Sequence, residues 1–532
     1  MPKGKRIILC LDGTWVNSDK GYNPPTLGQP DATLQVPTNV TRVYRSLKKR
    51  DANGKNQVMY YHPGVGSTGN ITDEIAGGVF GSGVSENIRE AYSFAATNYE
   101  PGDEIIIVGF SRGAFTARSV AGLITEIGLL NNNGMELLYP IFKDIENIRN
   151  PRYKDEFPTT PFPDKPRDKR EYKHRLEEED LTRLYDPDGR RIKVRCVAVW
   201  ETVGSLGIPD TNLSKKLKIP RSTKECKFYD TSLSNGIEYA FQALALDEDR
   251  TSFAPCVWNR PRNVRTDLRQ VWFLGAHSNV GGGLPDQELA NITMAWMMDQ
   301  LTSIGVAFED DTINRIFQQS VRYFFNHPRP QKSQTGNQHK PWSQWAVSSV
   351  FNEHRPVRPW GLGEIVQPET GYYHLAGKTT RTPGMYHYVD PNTALSTSEF
   401  LTHTHESVHR SVRIRLSLEG LGYDDVGLYK CSALKDWKLE RMRVVSRRDT
   451  RYFDGTAGEE EVVEKVQDHR WGWVYVGPER DTPPRDILME EPLGPYEDRL
   501  LHLNKGKLAF LFGSLVVRLS QTFWILLLVR VC

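Results

Sequence analysis

Short apolar, β-branched runs alternate with longer amphipathic stretches through roughly the first 305 residues. RIILCL (6–11), QVMYY (57–61), EIIIV (104–108), IKVRCVAVW (192–200) and QVWFLGA (270–276) read as buried strands. Between them, TNVTRVYRSLKK, SENIREAYSFAATNY, SRGAFTARSVAGLITEIGLL and ELANITMAWMMDQLTSIG carry helical spacing. This alternation predicts an α/β fold, a mostly parallel sheet flanked by helices, with its functional loops at the carboxyl ends of the strands.

Three stretches depart from that rhythm. Residues 143–191 are dense in charge and proline and predict a surface insertion, part helical, that acts either as a lid or as a solvated loop. Residues 326–508 are rich in Trp, Arg and Pro and lack βα units, which predicts an accessory extension packed beside the sheet of a 1–325 catalytic domain. Residues 509–532, AFLFGSLVVRLSQTFWILLLVRVC, are the most apolar part of the chain, divided by Arg518, Ser520 and Gln521. A spanning helix needs about 20 apolar residues. The segment therefore reads as a tail anchor or an interfacial helix with Trp524 at the headgroups, the alternative being burial against the extension.

Composition narrows the function classes. A net charge of +2 gives no reason to expect a nucleic-acid partner, and a mean hydropathy of −0.52 argues against a polytopic membrane protein. The six cysteines lie far apart without a CxxC pair, which fits reduced thiols better than a disulfide framework or a zinc knuckle. MPKGKRIILCLDGTW runs from a basic leader straight into a strand without a cleavage site, so a cytoplasmic chain is expected, membrane-associated if 509–532 binds lipid. None of the glycine-rich stretches GSTGN, GGVFGSGVS and SNVGGG has phosphate-loop spacing, and no cofactor is expected.

Candidate chemistry centres on Gly109-Phe110-Ser111-Arg112-Gly113, a G-x-S-x-G run between a strand and a helix. That context is the nucleophile elbow, in which the serine sits at a strained turn and the glycines avoid collision. A serine nucleophile needs a base, and the base an orienting acid, in the chain order Ser, acid, His. His277 follows the strand QVWFLGA and precedes a glycine run expected to be a flexible loop; Glu201 ends the strand IKVRCVAVW. The oxyanion hole is expected from the backbone N–H of Arg112 and a second N–H from the loop after the first strand, Gly13 or Thr14. Asp12, Gly64, Gly66 and Asn279 are expected at the rim.

Taken together, LDGTWVN, YYHPGVGS, GFSRGAFTAR, VWETVGSLG, ALALDEDRTSF and FLGAHSNVGGG resemble the α/β-hydrolase family that includes the type VI secretion phospholipase effectors, over about residues 5–310. The resemblance implies an α/β-hydrolase-type sheet and a serine hydrolase acting on esters, with phospholipids as the substrate class of the best-known members. It carries the nucleophile to Ser111, the acid to Glu201 and the base to His277. Two positions depart from the family pattern, which usually has Asp at the places of Glu201 and Asn279. If Glu201 proved dispensable, Asp247 or Asp249 would be the next acids to consider.

Other readings compete. A hydrolase-fold binding or scaffold protein with a decayed triad would rest on those two departures. LCLDGTW resembles the D-x-D-G-T loop of haloacid-dehalogenase-like phosphatases, but Cys10 replaces the nucleophilic aspartate. His405-Glu406-Ser407-Val408-His409 matches H-E-x-x-H, which makes a zinc hydrolase only on a helix with a third ligand, for which Glu419 or Glu440 would have to serve. RSVRIRL, directly after it, alternates like a strand.

Overall fold

The computed structural model describes residues 4–13, 22–23, 33–64, 80–148, 150, 153–203, 233–327, 357–366, 377–389, 396–446, 461–464 and 470–504. Thr14, Gly66 and the apolar segment 509–532 lie outside them. Among the described residues, no helix is long and apolar enough to cross a membrane.

The apolar runs form strands β1 (Arg6–Leu11), β2 (Gln57–His62), β3 (Glu104–Phe110) and β4 (Val194–Trp200). Next come β5 (Ile237–Ala245), which the pattern did not announce, and β6 (Asp267–Phe273). The β5 sequence IEYAFQALA is rich in Ala and carries a central Gln, residues of modest strand preference. Gln242 is tolerated in the buried sheet because it is bonded. Its Nε2 donates to Cys256 O (3.0 Å) and Gln270 Oε1 (3.2 Å), and its Oε1 accepts from Thr202 Oγ1 (2.8 Å).

In space these strands run β2-β1-β3-β4-β5-β6, all parallel. The chain leaves β1 outward to β2, then returns to lay β3 on the other side of β1. Strand order therefore reverses between β1 and β3, and such a switch point opens a crevice above the carboxyl ends. Leu11 pairs with Gly109, so the loop after β1 meets the loop after β3 there.

Alternate residues of the strands feed two cores. Ile8, Cys10, Ile106 and Val108 pack with helices α1 (Asn39–Tyr44) and Glu288–Ser303. Ile7, Leu9, Leu11, Ile105 and Ile107 pack with Phe80–Asn98 and Arg112–Ile127. The insertion contributes more to the core than its composition suggested: Phe162, Tyr172 and Leu176 join the second cluster.

Residues beyond 326 extend the same sheet edge to edge. Strand β7 (Glu406–His409) pairs parallel with β6, and with further strands Trp437–Ser446, Glu461–Glu464, Arg470–Tyr475 and Ile487–Glu491 the sheet has 11 strands among the described residues. Its last pairings turn antiparallel. Glu406–His409 of the H-E-x-x-H segment is β7, not the helix that zinc binding would need, and the run RSVRIRL after it, expected to be strand-like, is a helix, Arg410–Ser417. Residues 411–415 of that helix are all buried, so the alternation of Arg with aliphatics does not mark an inner and an outer face. His405, at φ 49°, precedes the strand and His409 ends it, so the two do not have the one-helical-turn spacing that the zinc motif relies on. His409 instead caps the helix through Ser411 N and bonds Glu497 at 2.7 Å.

Candidate active site

At the end of β3 the chain turns sharply into helix Arg112–Ile127. Ser111 holds φ 57° and ψ −120°, its side chain makes no capping bond, and its backbone N–H donates to Trp200 O at 3.1 Å. A positive φ on a non-glycine residue is strained, and such strain is characteristic of nucleophile elbows. The flanking glycines are required by contact. A Cβ on Gly109 would lie 2.5 Å from Gly113 O, and one on Gly113 would lie 2.2 Å from Leu11 O. The bare backbones let helix and strands close beneath the serine.

The loop after β1 abuts this turn. A Cβ on Gly13 would stand 3.4 Å from Ser111 Cβ. Asp12 is buried and accepts from Thr38 Oγ1 (2.8 Å), Thr41 Oγ1 (2.7 Å), Tyr61 OH (2.8 Å) and Gly13 N (2.7 Å). Burial pushes its carboxyl above the ordinary value against these bonds. Asp12 thus staples the β1 loop to α1 and β2. The Gly13 amide is engaged by that carboxylate, and Thr14, the other expected donor, lies outside the described residues. Gly64, just past β2, is buried.

Glu201 follows β4 at φ 45° and is 1% exposed. Its Oε1 accepts from Ala245 N at 2.7 Å; its Oε2 meets His277 Nδ1 at 3.1 Å and accepts from Arg381 Nη2 at 3.0 Å. Burial opposes its charge, but Arg381, His277 and the Ala245 amide together hold the carboxyl below its ordinary value. A carboxylate can only accept, so Nδ1 carries the imidazole proton and Nε2 is left as an acceptor.

His277 begins a short helix, His277–Gly281, rather than lying in a flexible loop, and stands four residues past the end of β6. Gly275 makes the bend at φ 95°, where a Cβ would lie 2.4 Å from Asn279 Cβ. His277 N donates to Glu248 Oε2 at 3.2 Å. The ring lies 4.7 Å from that of Phe110, the residue before Ser111, and edge-on to Phe253 at 4.9 Å. Asn279 braces the bend: its Oδ1 accepts from Ala276 N (3.1 Å) and its Nδ2 donates to Glu364 O (2.8 Å). An aspartate could make the first bond but not the second. Asp247 serves Gly275 N and Tyr429 OH, and Asp249 pairs with Lys378.

Serine, carboxylate and imidazole thus gather at one end of the parallel strands. Glu248, Phe253 and Arg381 around them went unnoticed in the sequence. The first two lie in the recognised run ALALDEDRTSF, but Arg381, in GKTTRTPG, carries no local signal. Among the described residues, no group of three or more His, Cys, Asp or Glu is arranged to hold a metal.

Residues 5–300 match the model of the family described as type VI secretion system phospholipase effector Tle1-like, catalytic domain. The uncharacterised protein YEL023C of Saccharomyces cerevisiae is 29% identical over 263 residues, covering 47% of this chain and 32% of that protein. The chain therefore spans about a third of the length of this curated relative. Among solved structures, it is similar to a Tle1 effector bound to the VgrG spike of the type 6 secretion system. That match has 15% identity and a TM-score of 0.34, over 74% of this chain and 88% of that one. A second, to an uncharacterised Pseudomonas aeruginosa protein, has 16% identity and a TM-score of 0.31, over 57% and 46%.

Proposed function

The chain belongs to the Tle1-like phospholipase effector catalytic-domain family, and on that footing we propose that it is a serine ester hydrolase acting on a lipid or phospholipid through Ser111, His277 and Glu201. His277 Nε2 takes the Ser111 hydroxyl proton as Oγ adds to the ester carbonyl. The Arg112 amide and a second N–H from the loop after β1 hold the oxyanion. The tetrahedral intermediate collapses, His277 gives its proton to the departing alkoxide, and an acyl-serine remains. Water, deprotonated by His277, then adds to the acyl group, and collapse releases the acid and restores the serine. Glu201 keeps Nδ1 protonated and stabilises the imidazolium in both halves.

The observation that carries this reading is the buried 3.1 Å bond between Glu201 Oε2 and His277 Nδ1 at the sheet end that bears Ser111. A panel of phospholipid vesicles and short-chain esters tests it. Hydrolysis that Ser111→Ala lowers by three or more orders of magnitude, roughly the cost of losing a triad member, supports the assignment. Undiminished hydrolysis in that variant sinks it.

A further inference from the structure

The segment that matches the family ends at residue 300, yet Glu201 receives a cation from far beyond it. Arg381 is 3% exposed. Its Nη2 donates to Glu201 Oε2 (3.0 Å) and Phe253 O (2.7 Å), and its Nε to Glu248 O (3.2 Å). The arginine arrives on a strap that follows the loop after β5: Thr251 N donates to Gly377 O (3.2 Å) and Thr379 N to Asp249 O (2.7 Å). Resting on the proposed triad, we propose that Arg381 is a positioning residue that completes the site from outside the matched segment, fixing the Glu201 carboxylate and balancing the charge around His277.

The charges facing His277 make the balance necessary. Glu201 bonds its ring, and the Glu248 carboxylate bonds its backbone N–H. Arg250 chelates Glu248 through Nε and Nη2, both at 2.8 Å, and Arg381 answers Glu201. Phe110 and Phe253 pack against the ring, one tilted and one edge-to-face. Tyr386, whose hydroxyl burial pushes up to about 12, stays neutral beside Arg381. Among the described residues, two carboxylates are thus matched by two guanidiniums. Without Arg381, His277 would face a net negative surround that favours imidazolium, the form that cannot take a proton from Ser111. Two anchors on backbone carbonyls also hold the guanidinium when Glu201 is drawn toward the imidazolium.

The test is the pH profile of kcat/KM for the full chain and for Arg381→Met, Arg381→Gln and Arg381→Lys, each checked for folding by circular dichroism. The two neutral variants should move the acid limb to higher pH by on the order of one unit, with the loss greatest at low pH and partly recovered at high pH. Arg381→Lys should keep the limb within a few tenths of a unit, because it keeps the charge while losing the fork. A folded neutral variant with an unmoved limb, or a Lys variant with a limb displaced as far, overturns the proposal. If only the Lys variant folds, its limb decides: unmoved supports, displaced overturns. Fluorophosphonate labelling of the unaltered chain separates this result from the underlying reading. No labelling at Ser111 removes both, whereas labelling with an unmoved limb removes this inference alone.

Discussion

Glu201 serves three donors at once, the Ala245 amide, the His277 ring and the Arg381 guanidinium, from a backbone at φ 45°. The extra methylene over aspartate lets one carboxylate reach all three. Glu201→Gln should lower kcat by about four orders of magnitude with little change in KM, because an amide disturbs the tautomer and stabilises no imidazolium. Glu201→Asp should fall between, retaining the charge but giving up part of the reach. Steady-state kinetics decide, and a Gln variant as active as the unaltered chain would place the acid elsewhere. Asn279 is fixed by a partner remote in sequence, since its Nδ2 donates to Glu364 O.

The elbow is built by two elements closing on each other, β1 and the helix Arg112–Ile127, with no room for a methyl group between. Gly113→Ala should push the helix off Leu11 and Asp12, destabilise the fold by about 1–3 kcal/mol and displace the Ser111 turn. Chemical denaturation and esterase activity read the two effects, and an unchanged midpoint would contradict the packing. This part of the site was legible in the sequence because strand, G-x-S-x-G and helix are contiguous. His277 and Glu201 were legible because each closely follows a recognisable strand. Strand β5 was not, since its Ala and Gln residues have little strand preference and Gln242 is stabilised by partners remote in sequence. Nor was Arg381, placed by tertiary contact alone. The H-E-x-x-H segment misled for a related reason. Its spacing implies a helix, but pairing with β6 makes it a strand, and burial of Val412, Ile414 and Arg415 makes a helix of the next run.

Across the molecule, buried carboxyls divide into two groups with opposite pH signatures. Burial pushes Asp247 up to about 6 and Asp299 and Glu288 to about 7. It also raises Glu497 and lowers His409, so their fully buried contact is a neutral pair. Carboxyls raised above their unfolded values stabilise fully below the ordinary carboxylate range, and that contribution is lost as pH rises from there through 6 to 8, whereas the lowered His409 loses its contribution as pH falls. Glu201 and Glu248 are held low, against burial, and act in the opposite sense, their contribution being lost as pH falls below the carboxylate range. The thermal midpoint should therefore be highest near the ordinary carboxylate range, at about pH 4–5, and lower at both pH 3 and pH 9. A midpoint that climbs steadily to pH 9 would contradict this assignment of charge. The central proposal, that Ser111 is a nucleophile activated by His277 and Glu201, is tested most directly by covalent capture. After exposure to a fluorophosphonate, intact and peptide mass spectra should show one adduct, on the peptide containing Ser111, and none in Ser111→Ala. An unmodified chain, or an adduct that persists in the alanine variant, would contradict the account.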